Sequence, residues 1–166
     1  MLYLHEVPEN GGDTLFANMY AAYKALSEPM QSFLLELNAL HSGRKNYGDY
    51  FGRAASDMHT GRFPDAEHSV VRTHLETGRG ALYVNELFTD YIVGLAPQES
   101  GAMLAYLYKH IASLRFQCRF RWQKNSVAMW DNRCAPHMVL WAIIRTPDRA
   151  TARQSPGTDR FCNDRQ

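Results

Sequence analysis

Seven histidines are the first side chains to test for chemistry, because neutral imidazole is a common metal ligand and a proton carrier near neutral pH. Most read as surface or core filler: His41, His59 and His68 lie in or beside a polar stretch, and His110 falls on a helical pattern. His137 differs. It follows Trp130-Asp-Asn-Arg-Cys-Ala-Pro136, just past an apolar strand, where a barrel rim would lie and an imidazole can hold iron, zinc or copper. His74-Leu-Glu76 has the H-x-[D/E] spacing that supplies two ligands of a 2-His-1-carboxylate iron site, and alternate strand residues do share a face. The run enters a turn at Glu76-Thr-Gly78, however, and three residues match such a pattern without function easily. Arg119 and Arg121 share a strand face, which suits bidentate contacts to an anionic substrate and equally a solvated sheet surface. Gly11-Gly12-Asp13-Thr14 is no phosphate loop, since it lacks the spacing, the lysine and the following long helix. No Ser/His/Asp or Cys/His nucleophile arrangement emerges.

The elements that must position these residues are mostly strands. Leu2 to Val7 alternates apolar positions before Pro8, and Thr14-Leu15-Phe16 restarts an extended segment after a turn cluster. Met19, Ala22, Tyr23 and Leu26 recur at helical spacing until Pro29, and Met30, Phe33, Leu34 and Leu37 form a second helical face. Residues 41 to 67 lack periodicity and read as a long loop. Val70 to His74 and Ala81 to Val84 flank a Gly-containing turn and read as a hairpin. Pro97 to about Ser113 is a helix with Met103, Leu104, Leu107 and Ile111 on its buried face. Phe116, Cys118, Phe120 and Trp122 then alternate with Gln117, Arg119 and Arg121, and Lys124-Asn125 turns the chain into Val127-Ala-Met-Trp130. Strands that close leave no room for a crossover helix, so the expected class is mainly β with inserted helices (α+β), its sheet antiparallel.

Composition bounds the function classes. The chain has 166 residues, 45% of them hydrophobic, enough for one domain with a core. Lys+Arg number 18 and Asp+Glu 17, so no basic surplus points to nucleic acid. The longest apolar run, Met138 to Ile144, is far too short for a membrane span, and the first residues lack the pattern of a secretory signal. Three widely spaced cysteines with no C-x-x-C pair argue against a disulfide framework and fit a reducing, cytoplasmic setting. A chain that opens inside a strand leaves that strand's partners unexplained. Residues 146–166 have the polar composition of a disordered segment, so the expected domain is 1–145.

Several segments, in order, resemble the α-ketoglutarate-dependent taurine dioxygenase family (TauD/TfdA). They are Glu6-Val7-Pro8 with Gly11 to Thr14, Ala21 to Ser27, Val70 to His74, Ala81 to Asn85 with Phe88-Thr89, Phe116 to Gln123, and Trp130 to Arg133. The resemblance implies a double-stranded β-helix (jelly roll), here partial, holding Fe(II) with 2-oxoglutarate as co-substrate and O2 as oxidant. The implied reaction hydroxylates a small organic substrate, a taurine-like sulfonate by default, and releases succinate and CO2. Matched position by position, His137 is the distal iron histidine, in Arg-Cys-Ala-Pro-His where the family has R-x-T-Q-H. Thr14 is the threonine that binds a 2-oxoglutarate carboxylate. Phe88 is an aromatic of the substrate pocket, and Tyr47 stands where another is expected. The same matching puts His74 in the hairpin and outside the iron motif.

The departures bear on activity. The family's H-x-D motif, source of the other two iron ligands, would precede this chain, and one histidine cannot hold Fe(II) in a defined geometry. After His137 the expected Asp-Tyr, the 2-oxoglutarate arginine and the Gly-Asp-Arg-Pro strand are replaced by Met138 to Ile144 and the polar tail. Read from the third base of each codon, the genetic code permits His and Asp-Tyr in the first stretch and His-Arg through Gly-Asp-Arg-Pro in the second, which points to a shifted frame. The chain therefore reads as an inactive fragment of a dioxygenase. The alternative is an iron-free binding module that keeps part of the jelly roll. Its partner in either case is a small molecule, with self-association left open.

Overall fold

Local sequence sets most of the elements. The computed structural model describes residues 1–8, 11–43 and 65–140. Between strand β1 (Leu2–Leu4) and strand β2 (Thr14–Ala17), Gly12 takes φ +78°, a left-handed conformation open to glycine at little cost. Helix α1 (Met19–Lys24) starts at Asn18, whose side chain accepts the Ala21 N–H at 3.1 Å. Pro29 does not merely interrupt the pattern; it lies in the first turn of α2 (Glu28–Leu35), where its missing N–H has no intrahelical partner to lose. The face of α2 is narrower than its spacing suggests, with Leu34 fully buried and Phe33 exposed.

Among the strands that went unread in the sequence are β3 (Asn38–His41) and β7 (Thr89–Ile92). With β4 (Ala66–Ser69) they form one sheet in the order β4-β3-β7, so both ends of the 41–67 stretch are strand rather than loop. The expected hairpin is present as β5 (Val71–Thr73) and β6 (Gly80–Leu82), paired Val71 to Leu82. Helix α3 (Pro97–Ile111) begins as expected, with the Glu99 side chain taking the Ala96 N–H at 2.9 Å. A 3₁₀ turn (Leu114–Phe116) leads into β8 (Gln117–Phe120), followed by β9 (Ser126–Ala128) and β10 (His137–Val139).

Every strand pairing among the described residues is antiparallel. The other two sheets are β10-β2-β8 and β1-β9. Strands β8 and β9 are therefore joined by a tight turn without pairing with each other. Asn125 at that turn has φ +66°, a region asparagine tolerates better than most residues, and the chain there turns a corner between sheets. The result is a mixed α+β arrangement of small antiparallel sheets.

The buried cluster sits among the helices, β3, β7 and the β5-β6 hairpin: Met19, Ala22, Leu34, Leu82, Ile92 and Leu107 are at its centre. Fully burying each large aliphatic side chain contributes about 1.5–3 kcal/mol. Polar ties fix the layers. Ser100 on α3 accepts the Ile92 N–H at 2.8 Å, and the His110 ring lies 2.8 Å from the Ala22 carbonyl, so that histidine serves packing, as its helical setting suggested. Among the described residues no helix is long and apolar enough to cross a membrane.

Candidate functional site

The β10-β2-β8 sheet carries the candidate chemistry on one face. Phe16 lies opposite His137 on one side and Cys118 on the other, while Thr14 lies opposite Val139 and Phe120. Residues directly opposed in an antiparallel pair point to the same side, so Thr14, Phe16, Phe120 and His137 share a face. An open cleft of about 400 Å³ borders this face, lined by Phe16, Phe120, Val127, Met129, Trp130 and Ala135. Size and lining suit a small organic molecule.

His137 is exposed at its edge, but its ring packs against aromatics. The Trp130 ring stands 4.7 Å away in an edge contact and Phe16 6.0 Å away. This partial burial pushes the imidazole below its ordinary range, and the charge of the amino terminus adds to the effect. A neutral imidazole is the form that binds a metal. Thr14 is buried, and its hydroxyl oxygen accepts the Trp122 indole N–H at 2.9 Å. With a lone pair so engaged, the hydroxyl proton is left to donate, as recognition of a carboxylate requires. On the opposite face Arg119 Nε donates to the buried Asp13 at 2.6 Å, so that arginine is held by a carboxylate while Arg121 is exposed. Cys118, expected on the apolar side of its strand, is exposed.

The fit to iron can be tested on these residues. Two side chains able to ligate a metal share this face, but Cys118 lies across Phe16 from His137, and His137 itself is flanked by Trp130 and Phe16 rather than by a carboxylate. An Fe(II) site of the 2-His-1-carboxylate type needs three protein ligands, so the described residues do not close one. Phe88 is not part of the sheet that carries Thr14 and His137. It sits in the turn before β7, its N–H bonded to the Asn85 side chain at 2.8 Å and its carbonyl accepting the Ser42 N–H at 2.8 Å. Tyr47 and His59 lie outside the described residues. Sequence reasoning thus placed two residues that come together, Thr14 and His137. It missed the aromatic box around His137 and the Trp122 bond, although the alternation of β8 already put Trp122 and Phe120 on one side.

His74 has a definite place too. Its Nε2 is 3.0 Å from Asp131 Oδ2, far along the chain, and Asp131 is in turn gripped by Arg133 through bonds of 2.6 to 3.0 Å. Glu76 faces Arg133 at 3.7 Å rather than a shared ligand position, so H-x-E here is not a ligand pair. His41 and His68 stand in strands β3 and β4, their rings packed with Tyr83.

The family model for taurine catabolism dioxygenases of the TauD, TfdA type matches residues 1–150, and the chain belongs to that family. A Schizosaccharomyces pombe protein named as a candidate alpha-ketoglutarate-dependent sulfonate dioxygenase is 46% identical over 136 residues, covering 81% of this chain and 34% of its own length. The alpha-ketoglutarate-dependent sulfonate dioxygenase of Saccharomyces cerevisiae is 34% identical over 165 residues, covering 96% of this chain and 38% of its own. The crystal structure of a taurine dioxygenase from Burkholderia xenovorans superposes with a TM-score of 0.70 at 35% identity, over 84% of this chain and 44% of that one. The chain thus spans less than half the length of each of these three relatives.

Proposed function

We propose that this chain carries part of the site of an Fe(II)/2-oxoglutarate-dependent dioxygenase acting on a small organic substrate, by default a sulfonate, with release of succinate and CO2. The observation that carries the reading is the shared face of Thr14 and His137 beside an apolar cleft. In this reading His137 is one metal ligand, Thr14 donates to a 2-oxoglutarate carboxylate, and Trp122 holds the Thr14 hydroxyl in place. Phe88 and Tyr47 contribute to the substrate pocket, and the cleft aromatics exclude water from its floor. The metal, when bound in a complete site of this kind, supplies the activation of O2. The surrounding architecture in this reading is a partial jelly roll over residues 1–145, with a frame-shifted tail over 146–166. An iron-free binding role is favoured only by the openness of the cleft.

With one ligand in reach, the chain alone should be inactive. Purified chain given Fe(II), 2-oxoglutarate, O2 and taurine is expected to form no more succinate than the His137→Ala variant; robust turnover would overturn this. The ligand position has its own test. Ni(II) added to histidine-labelled chain should broaden the His137 imidazole signal before those of the other histidines, and stronger broadening elsewhere would remove His137 from the reading. Sequencing the locus beyond both ends tests the frame: an upstream H-x-D run and a downstream frame restoring Gly-Asp-Arg-Pro are expected, and their absence would favour the binding role.

A further inference from the structure

A polar cluster lies at the root of the turn that delivers His137. His74 is 9% exposed and joins the hairpin to that turn. Its Nδ1 is 3.3 Å from the Thr77 N–H, which needs an acceptor, and its Nε2 is 3.0 Å from Asp131. The two contacts together give Nδ1 the acceptor role and place the donated proton on Nε2. Asp131 gathers the rest of the turn. Arg133 binds both its carboxylate oxygens and also donates its backbone N–H to Oδ1 at 2.9 Å. The Asp131 carbonyl accepts the N–H groups of Cys134 and Ala135. Beyond them the Cys134 carbonyl accepts the Met19 N–H at 3.1 Å and the Pro136 carbonyl the Ala17 N–H at 3.0 Å. The next residue is His137.

The ligand atoms of His74, Asp131 and Cys134 lie within 4.8 Å of one another, the composition of a metal site. Their bonds argue otherwise. Both His74 nitrogens are engaged, and both Asp131 oxygens face a guanidinium. The cleft beside His74 and Arg133 has only about 10 Å³, at most the room of one water. We propose that His74 is a positioning residue, which through Asp131 and Arg133 fixes the 131–136 turn and so sets the place and orientation of the His137 imidazole. The importance of that orientation rests on the reading of His137 as the metal position, but the positioning itself can be measured without metal.

The test is NMR of the full chain in dilute solution with labelled histidine. In the wild type, His74 should be the Nε2–H tautomer. The His137 ring proton shift reports its position, because the rings of Trp130 and Phe16 lie beside it. Glutamine can place an N–H near the site of Nε2, whereas asparagine reaches only that of Nδ1. His74→Gln should therefore keep the wild-type His137 shift, and His74→Asn and His74→Leu should move it while Ile92 and Leu107 methyl signals stay native. An unmoved His137 in folded His74→Leu overturns the proposal, as does a wild-type Nδ1–H tautomer or a Zn(II)-induced shift of His74. Should the Leu and Asn variants not fold, the wild-type tautomer and the His137 shift in His74→Gln decide. A His137 shift that depends on His74, without Ni(II) broadening of His137, would sink the metal reading and leave the positioning intact.

Discussion

Two side chains carry their environments in their titration. The Asp131 carboxyl is held well below the usual carboxylate range, chiefly by its bonds to Arg133; burial opposes this, and the bond to His74 adds a lesser lowering. A depressed carboxylate stabilises the fold fully above the unfolded aspartate value of about 4 and loses that contribution as the pH falls below it. Asp131→Asn should flatten the decline of melting temperature below about pH 4, and an unchanged acid limb would show that the grip of Arg133 adds nothing. His41 is lowered to about 4, first by burial and then by the neighbouring His68, with a hydrogen bond to the Tyr83 backbone opposing. Its ring nitrogen Nε2 is buried with no hydrogen-bond partner among the described residues. Here the unfolded ring, with a pKa of about 6.5, takes up its proton first, so stability should fall as the pH drops from about 6.5 to 4. His41→Leu should lessen that slope in melts across the same window, the lowered His68 and His137 keeping part of it. These couplings were not legible in the sequence: nothing local to His74 names Asp131 as its partner, and His41 looks like one more loop histidine until β3 and β4 pair.

At the scale of elements, the strong periodicities were readable and the weak ones were not. Helix α3 and the β5-β6 hairpin stand where spacing and turn residues put them, because each announces itself within its own segment. Strands β3 and β7 have no such signal. Asn-Ala-Leu-His and Thr-Asp-Tyr-Ile are short, mixed segments made strands by pairing with each other, and propensity yields to that tertiary context. The corner between β8 and β9 misleads in the opposite way, since the spacing of a hairpin joins strands of separate sheets. The α3-to-sheet contact offers a direct test. Ser100→Ala strips the buried Ile92 N–H of its acceptor and should cost about 1–3 kcal/mol in chemical denaturation. Leu107→Ala, which opens a void beneath the same helix, should cost about 2–5 kcal/mol. If Ser100→Ala proves neutral, water or a shifted backbone must satisfy the amide.

The whole molecule is uneven. Its buried cluster is concentrated on the helical side, while Val127, Met129 and Met138 near the candidate site are 55%, 81% and 58% exposed. So much apolar surface beside the open edges of β8 and β10 favours self-association. The purified chain should be poorly soluble and elute ahead of its 19.0 kDa mass in gel filtration; a sharp monomer peak at high concentration would contradict this. The same unevenness dictates an order of assembly. The central cluster runs from Met19 to Phe116, so it is complete before β8 leaves the ribosome. Strand β2, made near the start, must wait for partners far downstream, with 108 positions between Thr14 and Trp122 alone. Contacts so distant in sequence close late. In pulsed hydrogen exchange during refolding, the amides of α3, β5 and β6 should gain protection first, and those of β2 only when β8 and β10 arrive on either side of it.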